Sequence, residues 1–203
     1  METSGNNAAV TITQNNDGEI NGGKAIATAT TSSGSPSTEA TASGLNVETS
    51  GSNAAVTLMQ NSGTINGGTA TSATTGTAHG VNIVTHGEDS DISVTMGEDA
   101  EVHGGTTNSD FSYANGINLE TAGSNIEANI DGKVVAADKT ALGAGGAIGL
   151  RAVVWGGDGN AALNVGDNGY VEGSGSGVLG TTYGSGNVTA DIRGTVIQKD
   201  VLV

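Results

Sequence analysis

ETSGNNAAVTITQNNDGEINGG, residues 2–23, returns as ETSGSNAAVTLMQNSGTINGG over residues 48–68. Such near-identity marks an internal repeat, and weaker copies follow it. A Gly-apolar-Asn-apolar motif reads GLNV from Gly44, GVNI from Gly80 and GINL from Gly116, 36 residues apart each time, with a looser GLRA from Gly149. A second motif alternates apolar residues: Val10/Ile12, Val56/Leu58, Val94/Met96, Ala128/Ile130, Leu163/Val165 and Ala190/Ile192. A third is a short unit centred on Ile20, Ile65, Val102, Val134, Val171 or Val196. Each motif is short, alternates with period two and is bounded by glycine, which is the pattern of strands joined by turns. Three short strands in fixed order, repeated about every 36 residues and about six times, describe coils of a β-solenoid. With coils ~4.8 Å apart, six make a rod of roughly 30 Å.

Composition agrees. The 203 residues include 35 Gly, 1 Pro and no Cys, and aromatics are 2%. A narrow tube takes Val, Ile, Leu and Ala inside and has little room for rings. The net charge is −15 with six basic residues in all, too few for a phosphate-binding surface, so nucleic acid is excluded as a partner. Lack of Cys excludes a disulfide scaffold and a Cys-ligated zinc site. No apolar run is long enough to cross a bilayer as a helix, so no direct membrane insertion is expected.

Between the motifs lie segments that shorten along the chain, from Lys24–Ser43 through Thr69–His79 and Thr106–Asn115 to the SGSG after Gly173. They are expected to be loops protruding from one corner of the rod, where insertions in repeat proteins gather and often bind. No linker divides the chain, so residues 1–203 read as a single β-solenoid fragment.

Stretches such as GVNIVTHGEDSDISVTMGEDAEVHGG (residues 80–105) and GLRAVVWGGDGNAALNVGDNGYVEGSGSG (residues 149–177) resemble the passenger domains of Gram-negative bacterial autotransporters, the type V secreted surface proteins. The resemblance covers residues 2–200 and is more specific for architecture than for any one function. It implies a right-handed parallel β-helix, export across the inner membrane, and display at the bacterial surface by a C-terminal outer-membrane barrel, or secretion. Neither signal peptide nor barrel is read in the sequence. Met1 precedes ETSG, which also stands mid-array at Glu48, so the chain is expected to be a piece of a longer passenger. Absence of Cys suits a chain that crosses the periplasm unfolded.

Ionisable residues are densest at His79, His86, Glu88, Asp89, Asp91, Glu98, Asp99, Glu101 and His103. Carboxylates can hold a hard cation, but neither EF-hand spacing nor the nonapeptide of Ca²⁺ β-rolls is present. A solvated acidic turn is the expected reading, with no metal and no cofactor. Glycosidase chemistry asks for paired carboxylates in an aromatic-lined cleft. Ser-His-Asp hydrolysis asks for a serine in a strained turn. An ice-binding face asks for an unbroken Thr-x-Thr ladder, which Met59 and Glu127 interrupt. The chain is therefore read as non-enzymatic.

If Val81 and Ile83 face inward, Asn46, Asn82 and Asn118 form one outward column, and Arg151, Val153 and Trp155 face outward together. Arg151 and Trp155 are one candidate contact patch; Asp110, Phe111 and Tyr113, in the segment after the third coil, are the other. The resemblance implies an adhesin and virulence factor, and protruding loops with aromatics favour a host-cell receptor or glycan as partner. Self-association between bacteria along the rod flank is the alternative, favoured by the Asn column but opposed by the net charge of −15. A passive stalk carrying a distal head is the third.

Overall fold

The computed structural model describes residues 1–27, 38–109, 111–137 and 147–199. These residues are all β, with no helix. The first repeat carries β1 (Glu2–Thr3), β2 (Val10–Gln14), β3 (Glu19–Asn21), β4 (Lys24–Ala27) and β5 (Glu39–Thr41). The second carries β6 (Leu45–Thr49), β7 (Val56–Asn66), β8 (Thr69–Ser72) and β9 (Thr75–Thr77). The third carries β10 (Val81–Thr85), β11 (Ile92–His103), β12 (Thr106–Asn108) and β13 (Phe111–Tyr113). The fourth has β14 (Ile117–Thr121), β15 (Ile126–Ile130) and β16 (Lys133–Val135). The fifth has β17 (Ile148–Val154), β18 (Ala161–Val165) and β19 (Tyr170–Gly173), and the sixth β20 (Ser176–Thr182), β21 (Val188–Ile192) and β22 (Thr195–Gln198).

Each strand pairs in parallel with its copies in the adjacent repeats, which gives the molecule a solenoid-like stack. The strands fall into four separate sheets. The first sheet runs β1-β6-β10-β14-β17-β20. The second comprises two parallel ladders, β2-β7-β11-β15-β18-β21 and β3-β7-β11-β16-β19-β22, joined because β7 and β11 each run through both. A register shift between Met96 and Asp99 bends β11 there. Gln60 secures the same corner of β7, its buried Nε2 donating to the Gly63 and Glu101 carbonyls.

The predicted core is the observed one. Val56, Leu58, Ile65, Val81, Ile83, Val94, Val102, Ile117, Leu119 and Ile130 are all buried in a single apolar cluster. They stack in columns, such as Leu45–Val81–Ile117–Leu150 in the first sheet and Leu58–Val94–Ala128–Leu163 in the second. The glycine of the Gly-apolar-Asn-apolar motif has a steric cause. A Cβ on Gly116 would lie 2.5 Å from Val134 Cγ1 and 2.7 Å from the Gly149 carbonyl, so the corner closes only without one.

The expected loops are corrected. Lys24–Ala27 and Glu39–Thr41 are strands, as are most of Thr69–His79 and Thr106–Asn115. They form two three-stranded sheets, β4-β8-β12 and β5-β9-β13. The first three repeats thus have more than the three strands expected. Ala40, Ala42, Ala70 and Ala78, with Ala25 and Ala27 against them, make a second small core. Threonine supplies β-propensity here and alanine the inward face, so these strands lack the Val/Ile/Leu signature of the others. Residues 28–37 of the first expected loop, and 138–146 of the later one, lie outside the described residues.

Three substitutions test this packing by urea midpoint. Val94→Asp buries an unpaired charge and is expected to cost about 4 kcal/mol or more. Gly116→Ala is expected to cost about 1–3 kcal/mol by overpacking. Gly156→Ala, whose Cβ would meet only the Ala122 carbonyl at 3.8 Å, is expected to stay within about 0.5 kcal/mol of the parent.

Candidate binding face

The first sheet places identical sequence positions one above another, so polar side chains on its non-core side meet their own copies. Asn82 Nδ2 donates to Asn46 Oδ1 at 2.7 Å, and Asn118 Nδ2 to Asn82 Oδ1 at 2.8 Å. The predicted column therefore exists. Its amides are largely spent on one another, and Asn118 is buried. In the next repeat the column position is Arg151, whose guanidinium donates to Asn118 Oδ1 at 2.6 Å and to Glu120 Oε1 at 2.5 Å.

Glu120 is the hub. It also accepts from Trp155 Nε1 at 2.7 Å and from Asn118 Nδ2 at 3.1 Å. Burial pushes its carboxyl up, but the hydrogen bonds from Trp155 and Arg151 and the guanidinium charge outweigh burial and hold it below the usual carboxylate range. Trp155 stacks on Tyr183, centroids 4.9 Å apart and planes within 3°. The two residues are 52% and 64% exposed. One ring is thus hydrogen-bonded at its edge and stacked on one face, which fixes its orientation while leaving it in solvent.

Arg151 and Trp155 are brought together as predicted, but Val153 between them is buried, contrary to expectation. Arg151 and Trp155, on either side of it, both donate to Glu120, the residue paired with Val153 in register. Glu120 and Tyr183 went unrecognised in the sequence. A signal for Tyr183 existed: in register, VVW (residues 153–155) aligns with TTY (residues 181–183). Phe111 and Tyr113 lie on strand β13, at the edge of a three-stranded sheet, and both are exposed. No hydrogen bond or ring contact among the described residues joins them to Trp155. Asp110 lies outside the described residues.

The acidic cluster disperses. His86 Nε2 meets Glu48 Oε1 at 3.1 Å, and His103 Nε2 meets Glu101 Oε2 at 2.9 Å. Asp91 Oδ1 accepts from the backbone N–H of Asn125 at 2.8 Å, at the start of a second polar column through Asn160 and Asn187. Among the described residues, no group of three His, Cys, Asp or Glu is placed to hold a metal ion.

At the turns that follow the first sheet the surface is notched. The turn between β14 and β15 has four residues, 122–125, whereas its neighbours, 86–91 and 155–160, have six. The lower turn leaves a depression of about 450 Å³, with His86, Asp89, Ala122, Ser124 and Asp158 in its lining.

No protein-family model, curated protein or solved structure matches the chain.

His79 gives the fold a pH dependence. It is buried, and its Nδ1 accepts from the Asn115 N–H at 3.0 Å. Burial, reinforced by the Arg151 charge and opposed by Glu120, lowers its pKa from 6.5 to about 4. Between those values the unfolded chain takes up a proton that the folded chain refuses. Stability is therefore full above pH 6.5 and is expected to fall by roughly 3 kcal/mol as the pH drops to about 4. Urea midpoints between pH 7 and pH 5 check this: His79→Asn, which keeps an acceptor and cannot titrate, is expected to flatten most of the slope.

Proposed function

We propose that the chain is part of an autotransporter passenger, a right-handed parallel β-helix of about six coils that is displayed on a Gram-negative cell surface or secreted, and that it works as a non-enzymatic adhesin. The sequence resemblance supports the family, and the parallel pairing of repeat on repeat supports the coil. The partner is a host-cell receptor or glycan.

One observation carries the adhesive reading: the Trp155–Tyr183 stack, exposed to solvent yet immobilised by the Glu120 hydrogen bond and a rigid sheet. A ring ordered before binding loses little conformational freedom on contact, which is why fixed aromatics dominate recognition surfaces. The loop-borne contact expected from sequence gives way to this face, because the supposed loops are strands packed on an alanine core. Phe111 and Tyr113 on β13 are a secondary contact.

Pairing of one rod with another is the second reading. The exposed column Asn125–Asn160–Asn187 favours it. The charge of −15 opposes it at low salt.

Binding of purified protein to host cells, run beside a bacterial aggregation assay, tests the proposal. Trp155→Ala with Tyr183→Ala is expected to weaken host-cell binding about thirtyfold, the scale of a 2 kcal/mol hot spot. Phe111→Ser with Tyr113→Ser is expected to weaken it less. Unchanged binding by a folded Trp155/Tyr183 double variant would refute the assigned face. Aggregation without host-cell binding would favour the second reading.

A further inference from the structure

The aromatic column has a missing rung. Backbone bonds carry the register of the first sheet one residue past the strands: His86 N–H donates to the Thr49 carbonyl, Ala122 to Thr85, Trp155 to Thr121 and Tyr183 to Val154. His86, Ala122, Trp155 and Tyr183 therefore follow one another across adjacent strands. Tyr183 covers one face of Trp155. On the other side of Trp155 in this order stands Ala122, where the column offers only a methyl group. From His86 to Trp155 is two strand spacings, about 9.6 Å. A ring inserted over Ala122 would lie about 4.8 Å from each neighbour, matching the 4.9 Å of the Trp155–Tyr183 stack.

The shortened turn 122–125 borders the depression, whose lining includes Ala122 and its column neighbour His86. Asp89 on one side and Asp158 on the other supply acceptors. The occupant must present an apolar face to an indole and hydrogen-bond donors to carboxylates. It must also be free of negative charge. A neutral or amino pyranose does all of this: its axial C–H groups are attracted to the negative face of the ring, and its equatorial hydroxyls donate to the rim. A sulfated or sialylated sugar would meet carboxylates and a strongly acidic molecule.

We infer that the notch over Ala122, between His86 and Trp155, is a subsite for one uncharged or amino sugar ring of a glycan. The inference deepens the adhesive reading above and rests on it.

Trp155 is the chain's single tryptophan, so its fluorescence reports on this site alone. The purified protein is titrated with methyl glucoside, methyl galactoside, N-acetylglucosamine and glucosamine, and in parallel with N-acetylneuraminic acid and a sulfated glucosamine. At least one uncharged or amino sugar is expected to give a saturable change with a dissociation constant on the order of 1 mM, the range open to a single ring. Ala122→Tyr, which fills the rung, is expected to weaken that binding at least tenfold. Asp89→Asn with Asp158→Asn, an independent surface change, is expected to weaken it about fivefold and stands as the test should Ala122→Tyr fail to fold.

No saturation by any uncharged or amino sugar would overturn the inference. So would equal binding by a folded Ala122→Tyr variant, or anionic sugars binding as well as neutral ones. The two readings separate cleanly. Host-cell binding that survives in Ala122→Tyr leaves the adhesin standing without this subsite. Saturable sugar binding by a protein that ignores host cells removes the adhesin and keeps the subsite.

Discussion

Parallel backbone pairing between successive repeats is the constraint on which everything else depends. Neighbouring strands sit about 4.8 Å apart, and an in-register parallel ladder sets each side chain against its own copy. Every position must therefore be a residue that tolerates itself as a neighbour. Aliphatic side chains do so by dispersion, as in Leu58–Val94–Ala128–Leu163. Asparagine does so because its amide donates at one end and accepts at the other, as in Asn46–Asn82–Asn118. Glycine does so where backbones come too close for any Cβ: one on Gly105 would lie 2.1 Å from the Gly68 carbonyl. Where the charge of Arg151 enters the column, it is met by the opposite charge of Glu120.

The candidate face is where this rule is relaxed. Arg151 replaces the next asparagine, Trp155 and Tyr183 follow Ala122, and the turn at 122–125 loses two residues relative to its neighbours. Each departure breaks the repeat in the same region. The result is an aromatic pair held by the half-buried Glu120 carboxylate, and a depression with an acidic lining at the neighbouring turns. A repetitive wall presents the same surface everywhere and distinguishes little. Discrimination between partners requires a place where the repetition fails.

Much of the fold was legible beforehand. The 36-residue spacing of Gly44, Gly80 and Gly116 predicts the register that the strands adopt, and period-two alternation predicts which side chains are inside. The Asn46–Asn82–Asn118 column followed from the same pattern. Strands β4, β5, β8, β9, β12 and β13 were not legible, because their inward residues are small (alanine, Gly76, Ser72, Thr107 and Ser112) and many of their outward ones are threonine. Such segments read equally as polar loop until a second layer is present to bury the methyl groups.

What the sequence determined by itself is the repeat, the three strands that the copies share, their inward residues and the acidic, cysteine-free character, since each depends only on local pattern and composition. What the tertiary structure decided is the meaning of individual outward residues. Val153 is buried although the alternation of the strand points it away from the core, and its neighbours Arg151 and Trp155 both bond Glu120. Tyr183 belongs to the site only through stacking on a residue 28 positions earlier. The notch exists only because a short turn lies between two long ones. Local pattern fixes which way a side chain leaves the backbone. Where its far end goes depends on neighbours brought to it by the stack.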